Sequence, residues 1–200
     1  MNKKIGIIGS ILNALSVLLF AIFMLFDFTF GSFFVCILLA ISYLMMAVAI
    51  ENECKKEHAV AGKLGLLFGA IYATLIMVVY FTQCTSVANE ALSDGAAQVL
   101  DYKRLGLMFN LDLLGYGIMA LSTFFIGLSF DAKNKIDKAL KYLLMIHGIF
   151  FFSCLIMPMT GMFVGSGGST SSGGTIALEI WCAYFLPIGI LAALHFREKA

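Results

Sequence analysis

The sequence predicts an all-α membrane protein in which six transmembrane helices form one bundle over residues 1–200. In composition, 61% of the 200 residues are hydrophobic and 12% are charged, whereas soluble domains carry about 25% charged residues. The apolar residues form six long blocks, and a bilayer core of about 30 Å needs roughly 20 apolar residues per helix. The basic residues lie almost entirely on one side of these blocks. A soluble helical bundle would need polar helix faces, which the blocks lack.

The six blocks predict helices at residues 5–26, 30–50, 62–82, 105–130, 140–164 and 176–196. The first block follows Lys3 and Lys4 and therefore shares one feature with signal peptides. The apolar region of a signal peptide is about 7–15 residues long and is followed by the cleavage site. Here the block has 22 residues, and its one small-x-small site, 14–16, lies in the middle. We expect this block to be retained as the first helix.

The orientation of the bundle is predicted from its lysines and arginines. If the N-terminus is cytoplasmic, eleven of the 13 basic residues fall in cytoplasmic segments, and only Lys103 and Arg104 lie outside. This distribution follows the positive-inside rule. The sequence therefore predicts a multi-pass protein of the cell membrane with both termini in the cytoplasm. The lipid bilayer accounts for the lysines, and we expect no nucleic-acid partner.

The segment 84–104 is the long extracytoplasmic loop of this arrangement. Loops of about twenty residues are uncommon in compact proteins and often act as lids or binding elements. Ser93 or Asp94 can cap a short helix over residues 96–103. The alternative is a helix that lies on the membrane surface, anchored by Tyr102 and the two basic residues after it.

The sequence contains no pattern for a cofactor or a metal. Its five cysteines are scattered without CxxC or Cys/His spacing, so they indicate neither a zinc site nor a disulfide framework. An HExxH motif is absent, and no lysine lies in the middle of a predicted helix. The glycine–serine stretch 165–174 lacks the lysine of a phosphate-binding loop and predicts a flexible connector. We therefore expect no cofactor and no metal site.

Asp112 is an ionisable residue within the fourth predicted helix, in the stretch "NLDLLGYG". An aspartate near the membrane centre costs roughly 2.5–3.5 kcal/mol on insertion scales, so it should face the bundle interior or a water-filled cavity. Its helical stripe contains Gly115, Tyr116 and Met119, which are small, polar-tipped or soft. We expect Asp112 to point inwards.

Other polar residues are predicted at a similar depth on the extracytoplasmic side. Glu179 lies near the start of the sixth helix, and Gln83 and Asp27 lie at the outer ends of the third and first. Two carboxylates without a lysine or arginine at their depth cannot both stay charged easily, so a proton or a cation should join them. We therefore expect a water-accessible cavity open to the exterior, with the 84–104 loop as its cover.

His147 is predicted on the cytoplasmic side of the membrane centre, roughly 10 Å from Asp112 along the membrane normal. We expect it to hydrogen-bond a neighbouring carbonyl, with a proton relay through water as the alternative. Trp181 and Tyr184 are predicted to join an aromatic belt at the membrane surface, and Pro158 to kink the fifth helix. The candidate ligand-binding residues are Asp112, Glu179, Gln83, Tyr80, Tyr116 and His147.

Three functions remain open at this point. The favoured one is a transporter, or a transport-related binding protein, for a small cationic or amphipathic ligand bound at Asp112. The second is a membrane enzyme that acts on a lipid-like substrate by carboxylate acid–base chemistry. The third is a structural or partner-binding membrane subunit. Enzymatic activity is the less favoured reading, and homo-oligomer formation is left open.

Overall fold

The computed structural model describes residues 1–89, 92–163 and 172–198, with residues 172 and 173 described by their backbone alone. This part of the chain contains eight α-helices and no β-strand. The helices are α1 (Asn2–Leu25), α2 (Thr29–Glu51), α3 (Ala59–Thr82), α4 (Asp94–Leu100), α5 (Leu107–Ser129), α6 (Lys135–His147), α7 (Phe150–Met159) and α8 (Ser172–Glu198). Within it, six segments are long and apolar enough to cross a membrane: α1, α2, α3 with its flanking turns, α5, α6 with α7, and α8. The predicted all-α bundle with six transmembrane helices is confirmed.

Both described ends of the chain lie on the same side of the bundle. The ring of Phe196 packs beside Gly6, and the Asn134 amide donates to the Glu198 carboxylate at 2.9 Å. We call this the terminal side, and we call the opposite side, where residues 92–106 lie, the loop side. The assignment of the terminal side to the cytoplasm stays a prediction.

The helices form a ring. Helix α1 packs against α2 and α8, α3 packs against α2 and α5, and α6 closes the ring by packing against α5 and α8. Small residues allow the closest approaches between these helices. A Cβ atom on Gly65 would lie 2.7 Å from the Ile126 side chain, and one on Gly189 would lie 3.0 Å from the backbone nitrogen of Ala14.

The fifth span differs from the single helix predicted at 140–164. It begins earlier, because the Asn134 side chain caps α6 by accepting a hydrogen bond from the Asp137 amide at 2.7 Å. It then tightens into a turn at Gly148 and Ile149, where the backbone hydrogen bonds join residues three apart while the dihedral angles stay helical, before α7 begins. Gly148 is a poor helix former and packs against Phe124, where a Cβ atom would lie 2.9 Å from the phenylalanine Cβ. Pro158 lies inside α7, one residue before its end, and residue 164 and most of the predicted 165–174 connector fall outside the described residues.

A buried charged cluster holds the terminal side together. The His195 ring, only 1% exposed, places Nδ1 2.6 Å from Asp137 Oδ1 and Nε2 3.0 Å from Glu53 Oε2. While both carboxylates are ionised they only accept hydrogen bonds, so both ring nitrogens carry protons. The cluster ties the segment after α2 to α6 and α8. Sequence reasoning did not find it, because its three members lie far apart along the chain.

Candidate functional site

A cavity of about 380 Å³ lies between α5, α7 and α8 on the loop side. It exists because the two halves of the fifth span pack differently: α6 reaches both α5 and α8, whereas α7 packs on α5. Six of the fifteen lining residues are aromatic, namely Tyr102, Phe109, Tyr116, Phe150, Phe163 and Trp181. Most of the other lining residues are aliphatic or small. Among the described residues that line the cavity, Asp112 is the charged one. The volume lies within the usual range of small-molecule sites, roughly 300–1,000 Å³.

Asp112 is the polar centre of this cavity. It lies in the second turn of α5, about 8 Å below the start of the helix at 1.5 Å per residue, and is 3% exposed, so the prediction that it points inwards is confirmed. Its Oδ2 accepts a hydrogen bond from the Tyr102 hydroxyl at 3.3 Å. Its Oδ1 is buried and has no hydrogen-bond partner among the described residues. A buried acceptor without a donor is costly, so this oxygen favours a ligand that brings a donor or a positive charge.

Tyr102 reaches Asp112 because Gln83 holds the backbone around it. We call residues 92–106 the strap; it contains α4 and a 3₁₀ turn at Tyr102–Arg104. The Gln83 side chain donates from Nε2 to the Leu100 carbonyl at 2.8 Å and accepts at Oε1 from the Tyr102 amide at 3.0 Å. Burial and the neighbouring Asp112 carboxylate raise the pKa of Tyr102 well above its ordinary value. The hydroxyl therefore keeps its proton and remains a donor to Asp112.

The strap has the short helix that the sequence predicts, capped by Ser93, whose hydroxyl accepts from the Ala96 amide at 3.4 Å. The alternative in which Tyr102 anchors this segment to the membrane surface is wrong. The Tyr102 ring lies inside the bundle, with its centroid 5.3 Å from that of Phe109 and 5.7 Å from that of Phe33. The strap covers the loop side of the cavity.

Tyr80 and Tyr116 line different cavities near Asp112. The Tyr80 hydroxyl is close to the Asp112 carboxylate, but Tyr80 lines a second cavity of about 130 Å³ that also includes Asp27 and Lys103. Tyr102 lines both cavities and separates them. Tyr116 lines the main cavity, where its ring packs edge-on against Trp181 with centroids 5.2 Å apart.

His147 lies beneath the cavity and is fully hydrogen-bonded. Trp181 donates from Nε1 to His147 Nε2 at 3.0 Å, and Thr123 Oγ1 lies 2.8 Å from Nδ1. Because an indole N–H only donates, His147 Nε2 is the acceptor. The ring proton therefore lies on Nδ1, which donates a hydrogen bond to Thr123 Oγ1. The partners are thus side chains rather than the expected carbonyl. His147 positions Trp181, which is 7% exposed, so the prediction of Trp181 as an aromatic-belt residue is wrong.

Glu179 is not brought to the Asp112 cavity. Ala177, Leu178 and Trp181 line the cavity from one face of α8, and at 100° per residue Glu179 projects from nearly the opposite face. Its Oε1 is covered and has no hydrogen-bond partner among the described residues. The two carboxylates that the sequence placed at a similar depth are therefore not neighbours, and Asp112 is the carboxylate of the cavity among the described residues.

A second, wider depression lies on the terminal side. It has a volume of about 580 Å³ and is lined by Lys3, Glu53, Phe130, Asp131 and Lys133. Its acidic groups are already engaged, Glu53 with His195 at 3.0 Å and Asp131 with Lys55 at 3.0 Å. We therefore place the candidate site at Asp112, whose buried oxygen has no such partner.

Sequence reasoning found Asp112 but missed most of the aromatic residues around it. Phenylalanines are frequent throughout the predicted helices, so Phe109, Phe150 and Phe163 carried no special signal. Trp181 did carry a signal, because it is the one tryptophan of the chain. Among the described residues, no group of three or more His, Cys, Asp or Glu side chains is placed to hold a metal ion. In comparisons with known proteins, no family model, curated protein or solved structure matched the chain, so the site is interpreted from its own geometry.

Proposed function

We propose that this protein binds a small amphipathic organic cation in the Asp112 cavity and serves as its transporter or as a transport-related binding protein. The observation that carries the proposal is the buried Asp112 carboxylate, with one unpartnered oxygen, in the wall of a cavity built mainly from aromatic and aliphatic residues. Such a wall leaves the carboxylate as the main polar recognition group. A ligand with one positive charge and an apolar body complements both parts.

The aromatic lining supports a cation over a neutral ligand. Aromatic faces attract ammonium groups, by about 2 kcal/mol or more where water is excluded, and rings of Tyr102, Tyr116 and Trp181 lie around the carboxylate-bearing part of the cavity. A neutral ligand would exclude water from Asp112 without supplying an opposite charge, which is costly for a buried ion. Binding of a cation satisfies both the carboxylate and the rings.

The placement of the cavity supports transport more than catalysis. The second carboxylate that the enzyme hypothesis would use, Glu179, does not line the cavity, so a pair of carboxylates for acid–base chemistry is not present there among the described residues. The cavity is closed on the terminal side, where α6 packs against α8, as alternating access requires of a transporter in one of its states.

Trp181 provides a direct binding assay, because it is the one tryptophan of the chain and lines the cavity. Titration of the protein in lipid nanodiscs with benzyltrimethylammonium should change its fluorescence. The neutral isostere neopentylbenzene, in which carbon replaces the nitrogen, should bind more weakly. Asp112→Asn should raise the Kd for the cation at least tenfold, equivalent to about 1.4 kcal/mol, and should remove the preference for the charged ligand.

Glu179→Gln is the matched control, since it removes a carboxylate of similar depth from the opposite face of α8. It should leave the Kd for benzyltrimethylammonium unchanged. Equal binding of the cation and its isostere by the wild-type protein, or equal loss in both variants, would contradict the proposal. Uptake of the labelled cation into proteoliposomes, abolished by Asp112→Asn, would then separate a transporter from a binding protein.

A further inference from the structure

The walls of the Asp112 cavity differ in how well they are closed. On the loop side the strap covers it, with Tyr102 bonded to Asp112 and held by Gln83. On the terminal side the hydrogen bond from Trp181 to His147 and the packing of α6 on α8 close it. Two walls are therefore built from hydrogen-bonded side chains and packed helices.

The wall between α7 and α8 is different. Ile180 lines the cavity and is nevertheless 62% exposed, and Ala177, one turn earlier in α8, lines it and is exposed as well. Across the gap, α7 has no buried residue, and its lining residues Ser153 and Met157 are partly exposed. A residue that both lines a cavity and faces outwards marks an opening, so the cavity opens sideways between these two helices.

The depth of this opening places it against hydrocarbon. Ile180 lies six residues after Gly174, where the apolar span begins, which is about 9 Å along the helix. Asp112 lies about 8 Å below the start of α5 by the same rise. With a bilayer core of about 30 Å, both are at the depth of lipid chains on the loop side. The residues around the opening, Phe152, Ile156 and Ile176, are exposed and apolar.

We infer that the ligand is a single-chain amphiphilic amine that reaches Asp112 from the bilayer, with its ammonium group at the carboxylate and its hydrocarbon tail leaving between α7 and α8. This inference rests on the proposed function and narrows its substrate class. A tail that leaves through the opening need not fit inside a volume of about 380 Å³. Ligands with long chains are therefore accommodated as well as short ones.

A series of alkyltrimethylammonium ions tests the inference. Binding is measured by Trp181 fluorescence in nanodiscs, with ligand concentration expressed per lipid so that partitioning into the bilayer cancels. The Kd should change by less than about threefold from the octyl to the hexadecyl compound, because the added methylenes remain in lipid before and after binding. A tenfold or greater weakening for the longer chains would show a closed cavity and overturn the inference.

A pair of variants tests the route itself. Ala177→Phe places a large side chain in the opening, whereas Ile176→Phe adds one to a neighbouring exposed position that does not line the cavity. Ala177→Phe should weaken the binding of hexadecyltrimethylammonium at least tenfold more than it weakens the binding of benzyltrimethylammonium, whereas Ile176→Phe should weaken neither. Equal effects of the two variants on the long-chain ligand would overturn the lateral route.

The two proposals fail in distinguishable ways. If the proposed function is wrong, benzyltrimethylammonium will bind without dependence on Asp112. If the sideways opening is wrong, that dependence will remain while the long chains are rejected. A further measurement uses brominated phosphatidylcholine, whose acyl chains should quench Trp181 in the ligand-free protein and quench it less after hexadecyltrimethylammonium is added. If hexadecyltrimethylammonium leaves the quenching of Trp181 unchanged, the result would contradict a tail that leaves between α7 and α8.

Discussion

Replacing Gln83 by leucine removes the side chain that fastens the strap to the bundle while keeping a similar volume. Gln83 is 2% exposed and makes two hydrogen bonds to strap backbone atoms, to the Leu100 carbonyl at 2.8 Å and from the Tyr102 amide at 3.0 Å. Each contributes about 0.5–1.5 kcal/mol net, so their loss should cost about 2 kcal/mol. That free energy corresponds to a roughly 30-fold increase in the equilibrium constant for detachment of the strap.

Hydrogen exchange of peptides that cover α4 and the 3₁₀ turn measures this detachment directly. In Gln83→Leu the amides of the strap should exchange roughly 30-fold faster, while those of α5 should keep their protection. Thr82→Val is the matched control, because the Thr82 hydroxyl bonds only the Val78 carbonyl of its own helix among the described residues. Equal exchange rates in the two variants would refute the reasoning, since Gln83 would then not be what holds the strap.

The remaining predictions concern the terminal side. Asp137→Asn should destabilise the protein by about 3 kcal/mol, at the lower end for a broken buried pair because His195 keeps Glu53, and should lower the Tm in detergent by roughly 6–12 °C. Asp131→Asn should have little effect, because the pair with Lys55 is exposed, and about 1 M salt should remove what effect there is. Lys55 lowers the pKa of the Asp131 carboxyl below 3.8, so this pair contributes stability above that value, and a Tm titration should lose the contribution as the pH falls through the lowered pKa.

The spans were predictable because apolar length is a local property that does not depend on the partners of a helix. Their limits were less so. Helix α6 begins at Lys135 rather than residue 140, because its first turns are amphipathic and are stabilised by the Asn134 cap, which accepts a hydrogen bond from the Asp137 amide. Hydropathy alone does not predict a helix start whose first turns are amphipathic.

The rotation of α8 is where reasoning along the chain failed for the site. The depth predicted for Glu179 suggested that its side chain joins the Asp112 cavity, and the aromatic character of Trp181 suggested that this ring points to the membrane surface. In the structure Trp181 points inwards because His147, which lies on another helix, accepts its N–H at 3.0 Å. Once Trp181 faces inwards, helical geometry turns Glu179 away. Rotation about a helix axis depends on such partners, and a single helix sequence does not contain them.

The inward direction of Asp112 was predicted by a different kind of argument, and the nature of that argument explains why the structure confirms it. The cost of exposing a carboxylate to lipid applies whatever the neighbouring helices are, so the inward direction follows from chemistry alone. What the carboxylate meets inside depends on tertiary structure. The turn at Gly148 and Ile149 separates α6, which packs against both α5 and α8, from α7, which packs on α5. The cavity lies between α5, α7 and α8, where α7 packs on α5, and the Tyr102 hydroxyl bonds one oxygen of Asp112 in its wall. The same looser packing of α7 leaves the gap towards α8 through which we propose that an amphiphilic cation reaches Asp112.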